Sequence, residues 1–275
     1  MTHCEELQSV YAEQPGEVSI ETLSQCNARC TFCPYPTLER IGTRLPDEVL
    51  ARLIDEMATF RQPFYFSPFK VNEPFLDKRL IPLCRAFNEK VPQGYLRLFT
   101  NGSALTDKHL DGAASLERVA HLWVSLNSHK PKEYEALMGL DWDRTVANLD
   151  RLHDREFPHP VVVSRVGDDD DFVKYVRWRW PNFGVATIKR DAWIDFTDAT
   201  ATEVPDAPCG RWWELNITAS GRESLCCMDS RGEHGFGSVL ESTLLELYNH
   251  PTRKAWRDGM MSRKSVGHPC ATCTY

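Results

Sequence analysis

The chain has 275 residues, with 32 Lys plus Arg against 39 Asp plus Glu, a net charge of −7 and a pI near 5.7. Apolar residues make up 42% and charged residues 26%, which is ordinary for a folded globular protein and excludes a wholly disordered chain. The acidic balance excludes the basic footprint of a nucleic-acid binder, and no stretch approaches the roughly 20 apolar residues of a membrane span.

The opening segment MTHCEELQSVYAEQPGE is polar and acidic. It has no basic region followed by an apolar one, so a cytoplasmic, reducing compartment is expected, with no nucleic acid or membrane as partner. Strands are predicted over residues 18–23, 64–66, 96–100, 122–126, 161–165 and 186–189, each rich in Val, Ile, Leu or aromatics. Helices are predicted between them, over 46–58, 77–88, 107–114, 142–153 and 171–179. Leu50, Leu53, Ile54 and Met57 share one helical face. Pro46 suits a first helical turn and Thr106 an N-cap. Strands alternating with helices imply a parallel sheet with right-handed crossovers, either open or curled into a barrel. Residues 197–208 read as a linker. Beyond it, 214–218 and 223–226 read as strands joined by Ala219-Ser220-Gly221, and 244–260 as a helix. The expected division is 1–205 and 206–275.

Ten cysteines stand out: Cys4, Cys26, Cys30, Cys33, Cys84, Cys209, Cys226, Cys227, Cys270 and Cys273. In a reducing compartment such clusters bind metal or do redox chemistry more often than they form disulfides. Cys26-x3-Cys30-x2-Cys33 puts three thiols in one loop after the first strand. Three thiolates hold three irons of a [4Fe–4S] cube and leave the fourth open. Structural zinc wants four ligands, and no nearby histidine supplies the last.

That motif, with Phe32 just before the third cysteine, resembles the radical S-adenosylmethionine (SAM) superfamily. The resemblance implies an α/β fold: a partial (β/α)6 barrel with its chemistry at the carboxyl ends of the strands. It also implies that the open iron chelates SAM, whose cleavage yields a 5′-deoxyadenosyl radical that abstracts a substrate hydrogen. An external reductant such as flavodoxin or ferredoxin is then expected. Asn72-Glu73-Pro74 matches the family's Gly-Glu-Pro motif with asparagine for glycine, and Glu73 is kept for the SAM ammonium. Thr100-Asn101-Gly102 closes the third strand. Ser125 and Asn127 close the fourth, where the family places polar SAM contacts. Ser164 and Arg165 close the fifth, with Arg165 suited to the SAM carboxylate.

Cys209-x17-Cys227-x42-Cys270-x2-Cys273 resembles the twitch domain, a short form of the SPASM domain. It implies a small α+β domain with one auxiliary [4Fe–4S] cluster and no open iron, a tetrahedral Cys4 zinc being the competitor. The expected cofactors are therefore two [4Fe–4S] clusters and SAM. Adjacent strand residues point to opposite faces, so only one of Cys226 and Cys227 should ligate. Spacing selects Cys227. Cys226 is then either an inert thiol or a hydrogen-atom donor facing the barrel. Cys4 and Cys84 read as structural.

For substrate, the acidic loops 168–171 and Asp191, Asp195, Asp198, Glu203 and Asp206 suit a cationic amino sugar of the aminoglycoside type, or simply cap helices. Trp178, Trp180, Trp193, Trp212 and Trp213 are stacking faces or core. The twitch resemblance likewise points to antibiotic biosynthesis. The leading expectation is an epimerase with Cys226 as hydrogen donor. The alternative is a dehydrogenase that sends an electron to the auxiliary cluster. A peptide-modifying enzyme and a non-catalytic iron–sulfur carrier rank below both.

Overall fold

A computed structural model describes residues 1–188, 193, 194, 196 and 203–274. Six parallel strands run β1 (Glu17–Ile20), β2 (Phe64–Ser67), β3 (Gly94–Thr100), β4 (Val119–Ser125), β5 (Val161–Val166) and β6 (Gly184–Ile188). They lie side by side in chain order, with Val18 opposite Phe66, Leu98 opposite Leu122 and Ser164 opposite Ala186. Helices cross between them: α2 (Asp47–Met57), α3 (Leu80–Lys90), α4 (Asp107–Ala114), α5 (Pro131–Met138), α6 (Trp142–Asp154) and α7 (Asp170–Arg179), after an N-terminal α1 (His3–Tyr11). This is the expected partial barrel.

Strand alternation explains the layering. Val18, Ile20, Phe64, Phe66, Leu96, Leu98, Leu122 and Val124 are buried, and they pack with Leu50, Leu53, Ile54, Met57 and Phe87 of the helices. Each such side chain contributes roughly 1.5–3 kcal/mol of burial. The opposite face lines the lumen and is more polar. There Arg97 pairs with Glu17 at 2.5 Å and lies 3.6 Å over the Tyr65 ring. Ser67 donates to Glu17 at 2.7 Å, which fills the lower lumen and leaves the upper end for a site.

Residues past 203 do not form a sheet of their own. β7 (Glu214–Ile217) pairs parallel with β1, and β8 (Glu223–Ser224) pairs antiparallel with β7, giving one eight-stranded sheet. Gly221 turns the hairpin at φ +82. Buried Glu21 locks this junction. It accepts from Arg40 Nε at 2.6 Å and from Ala219 N–H at 3.0 Å, while Arg40 donates to the Ser230 carbonyl at 2.6 Å.

Three expectations change. The helix over 244–260 is two, α8 (Leu244–Tyr248) and α9 (Pro251–Asp258). Pro251 offers no N–H and holds His250 extended, at ψ 131, so the first helix stops and a second starts. Helices α1 and α5 were missed; Pro131 opens α5 and Gly139, at φ +64, ends it. The strand over 223–226 ends at Ser224, so Cys226 and Cys227 lie in a turn. The first half of the expected linker, 197–202, including Asp198, lies outside the described residues, as do Asp191 and Asp195.

Candidate active site and auxiliary cavity

The loop after β1 carries Cys26, Cys30 and Cys33 over the carboxyl ends of the strands. It is pinned to the end of α5, with Arg29 N–H on the Met138 carbonyl and Thr31 N–H on the Leu137 carbonyl, each at 2.9 Å. The three thiols and Phe32 line an open cleft together with Glu73, Ser125, Asn127 and Ser164. Burial pushes the Cys26 thiol up to about 12, with Glu73 and Cys33 adding to the effect. Burial, then Cys33 and Cys26, pushes Cys30 up as well. Thiols held protonated in this way, as Cys26 and Cys30 are, need cationic metal to become thiolates.

Glu73 ends the loop after β2. Its carboxylate accepts from Asn101 N–H at 2.6 Å, Thr100 Oγ1 at 2.9 Å and Phe75 N–H at 3.2 Å. Burial nevertheless pushes it up to about 7. A fully buried carboxyl of that kind suits an incoming ammonium. Asn127 sits at φ +62, accepts from Val166 N–H at 3.0 Å and donates to Met138 Sδ at 3.1 Å. Ser164 accepts from Trp123 Nε1 at 2.7 Å.

Arg165 does not reach the cleft. Alternation along β5 turns Ser164 and Val166 inward and Arg165 outward, where it pairs with Asp169 and lies 5.6 Å from the Phe172 ring centroid. Asp169 also caps α7, accepting from Asp171 and Phe172 N–H at 3.0 Å. Asp171 pairs with Lys174, and Asp168 accepts from Thr187 Oγ1. Asp169 and Asp171 serve the helix and Asp168 holds β6, and none of these three lines the cleft. Asp206 accepts from Ser262 Oγ at 2.5 Å. Among the named tryptophans Trp193 lines the cleft, Trp180 and Trp213 are buried, and Trp178 is exposed.

Sequence reasoning missed Lys70, Met138 and the stacked Phe69–Phe99 pair (ring centroids 4.7 Å apart), all on the cleft. Met138 Sδ is 3.4 Å from Cys30 Sγ. Only the neighbouring Asn-Glu-Pro motif signalled Lys70.

A second cavity is lined by Cys209, Cys226, Cys270 and Cys273, with Trp212, Leu225, Met228 and Arg263. Cys227 is not on it. Strand alternation was the ground for expecting only one of the pair to ligate, and the family spacing selected Cys227; the chain leaves the strand two residues before Cys226, so the alternation does not apply there. Burial raises the Cys226 thiol, with Cys227 and Cys209 adding; Cys209 is pushed up to about 11 by burial, with Cys270 and Cys273 adding. Among the described residues no three His, Cys, Asp or Glu side chains converge closely enough to hold one metal ion. Apart from its thiols the cavity is mostly apolar, with Arg211 and Arg263 as the cations an anionic cluster would meet. Trp212 Nε1 is buried without a conventional acceptor and faces Cys270, whose thiol is raised by burial and drawn back by Trp212, Arg263 and Arg253. Cys84 is buried within α3, and Cys4 Sγ lies 3.8 Å from the Pro208 carbonyl. No described helix is long and apolar enough to cross a membrane.

A parallel partial barrel with a three-cysteine loop over its carboxyl face, joined to a four-cysteine cavity, defines a two-cluster iron–sulfur protein. The radical SAM superfamily pattern matches residues 20–178, and an iron–sulfur cluster-binding SPASM domain matches 209–274. The chain belongs to the radical SAM superfamily. It is a radical SAM enzyme with SAM and two [4Fe–4S] clusters as its cofactors. A curated relative, the SAM-dependent 2-deoxy-scyllo-inosamine dehydrogenase of Niallia circulans, is 28% identical over 137 residues. That match covers 47% of this chain and about half, 53%, of the relative. The fold is similar to crystal structures of BtrN in complex with AdoMet and 2-DOIA (16% identical, 94% and 93% of the two chains, TM-score 0.64) and of anSMEcpe with bound AdoMet (15%, 94% and 83%, TM-score 0.67). Streptococcus suis SuiB bound to precursor peptide SuiA is also similar (14%, 89% and 67%, TM-score 0.64).

Proposed function

We propose that the chain is a radical SAM dehydrogenase that oxidises a carbinol of an aminocyclitol or amino sugar to a ketone. The observation that carries this reading is the cavity shared by Cys209, Cys226, Cys270 and Cys273. It uses Cys226 as a cluster ligand and so removes the thiol on which the epimerase reading depended. The curated relative's dehydrogenase name supports the same class. When bound, SAM on the open-iron cluster supplies the hydrogen-abstracting radical, and the auxiliary cluster supplies a one-electron acceptor.

The chain's own residues then do the following. Cys26, Cys30 and Cys33 hold the first cluster. Glu73 holds the SAM ammonium, and Ser125, Asn127 and Phe32 shape its pocket. The Phe69–Phe99 stack walls the cleft and keeps water from the reacting carbon. Arg165 acts outside the cleft, by fixing Asp169 and the start of α7. The domain boundary near 205 divides the barrel strands from the auxiliary hairpin.

Cys227 gives the epimerase a remaining foothold, because its carbonyl touches Lys70, which lines the cleft. Anaerobic turnover with aminocyclitols and amino sugars in deuterated water separates the two. The dehydrogenase gives a product two mass units lighter, without solvent deuterium, and Cys227→Ala makes it equally well. A product carrying one solvent deuterium and otherwise unchanged in mass, lost in Cys227→Ala, contradicts it.

A further inference from the structure

Lys70 is a buried lysine that lies between the two cluster sites. It leaves the loop after β2, three residues before Glu73, and is 5% exposed. Its Nζ reaches across to the turn that follows β8. There it donates to the Asp229 carbonyl at 2.9 Å, the Cys227 carbonyl at 3.4 Å and the Cys226 carbonyl at 3.5 Å. Three acceptors around one nitrogen match the three donors of an ammonium; a neutral amine would leave one carbonyl unserved. The near end is fixed as well. Lys70 N–H donates to Asn72 Oδ1 at 3.0 Å, so the asparagine that replaces the family glycine closes a turn around the lysine backbone. Asp229 fixes the far end, accepting from the N–H groups of Leu225, Gly232, Glu233 and His234 at 2.9–3.1 Å.

We propose that Lys70 is a positioning residue that clamps the Cys226 turn to the SAM loop and places a fixed positive charge beside the auxiliary cluster, which raises that cluster's reduction potential. This rests on Cys226 being a cluster ligand. A cation next to an anionic cluster favours the reduced, more negative state, because net charge and hydrogen bonding around the sulfurs set the potential. Burial draws the Lys70 ammonium down from its usual range, with Asp229, Cys227 and Cys226 drawing it back up, and the three carbonyls hold the charged form; the same burial leaves little water to screen that charge. A higher potential is what an electron acceptor for a substrate radical requires.

The test uses full-length protein with Cys26, Cys30 and Cys33 all changed to Ala, so that only the auxiliary cluster loads. Its midpoint potential is read by an EPR-monitored redox titration. Lys70→Gln keeps amide donors without the charge; Lys70→Arg keeps the charge. In Lys70→Gln the reduction equilibrium is expected to fall about tenfold, a shift of ~59 mV for one electron, with Lys70→Arg near wild type. If Lys70→Gln fails to retain iron while Lys70→Arg retains it, the charge-dependent clamp is also supported. A wild-type potential in Lys70→Gln overturns the proposal, and so does equal iron loss in both variants. The ligand assignment is judged separately, by iron content in Cys226→Ala, which does not depend on the outcome at Lys70.

Discussion

Glu73 shows how a single carboxyl reports its task. It is buried, accepts three hydrogen bonds and still titrates near 7, because burial outweighs those donors. Below that pH it is neutral and a poor partner for an ammonium. SAM binding to the cluster-loaded protein is therefore expected to weaken about tenfold per unit as pH falls below about 7, with proton release on binding near pH 6. Calorimetry in buffers of different ionisation enthalpy checks it; an affinity flat from about pH 5.5 to about pH 8 contradicts it. Arg165 gives the opposite expectation. Because it points to α7, Arg165→Ala should leave SAM affinity within about twofold while loosening the start of that helix by about 1 kcal/mol. At this scale the sequence revealed the three-cysteine loop and Glu73, which short motifs encode. It misplaced Arg165 by one step of strand alternation. It left Cys226 outside the expected ligand set, whereas the structure puts it on the auxiliary cavity; the end of a two-residue strand leaves no mark in the local pattern.

Turns and short elements carry the auxiliary site. Asp229 is buried, and its carboxylate gathers four backbone N–H groups, from Leu225 and residues 232–234, into the loop that presents Cys226. Asp229→Ala leaves those donors without a partner and is expected to cost about 3 kcal/mol or more, read by denaturant unfolding of cluster-free protein. A loss below about 1 kcal/mol would show that water replaces the carboxylate. Strong periodicity made α2 and α6 legible, and Ala219-Ser220-Gly221 made the hairpin legible. The break between α8 and α9 was written in Pro251 and was overlooked between the apolar residues of 244–248 and those of 255–256. Helices α1 and α5 have weak amphipathic patterning and announce themselves only through caps: Thr2 for the first, Pro131 and Gly139 for the second.

In the whole molecule the sheet is the frame that holds both sites. With β7 hydrogen-bonded to β1 and β8 to β7, the loop bearing Cys26 and the turn bearing Cys226 hang from β1 and β8 of one sheet, with β7 between them, and Glu21, Arg40 and Lys70 cross-link the two. Long-range pairing of this kind is not visible in any local window, so nothing in the local pattern marked the hairpin as an extension of the barrel sheet. The buried thiols also set a pH signature. Cys26 is held near 12 and Cys209 near 11, whereas thiols of an unfolded chain ionise near 8.5. The folded, cluster-free protein thus binds more protons than the unfolded chain above that pH, and its stability falls as pH rises. Ligated thiolates are exempt, so the gap in Tm between loaded and cluster-free protein should widen from about pH 7 to about pH 10; a constant gap would contradict this. The central claim is the four-thiol cavity built on Cys226. Its most direct test is iron content and the Mössbauer spectrum of Cys226→Ala and Cys227→Ala, each in the background that lacks Cys26, Cys30 and Cys33. The structure predicts four irons as one [4Fe–4S] cluster in Cys227→Ala and loss of that cluster in Cys226→Ala; the reverse pattern would contradict the assignment and return the hydrogen-donor role to Cys226.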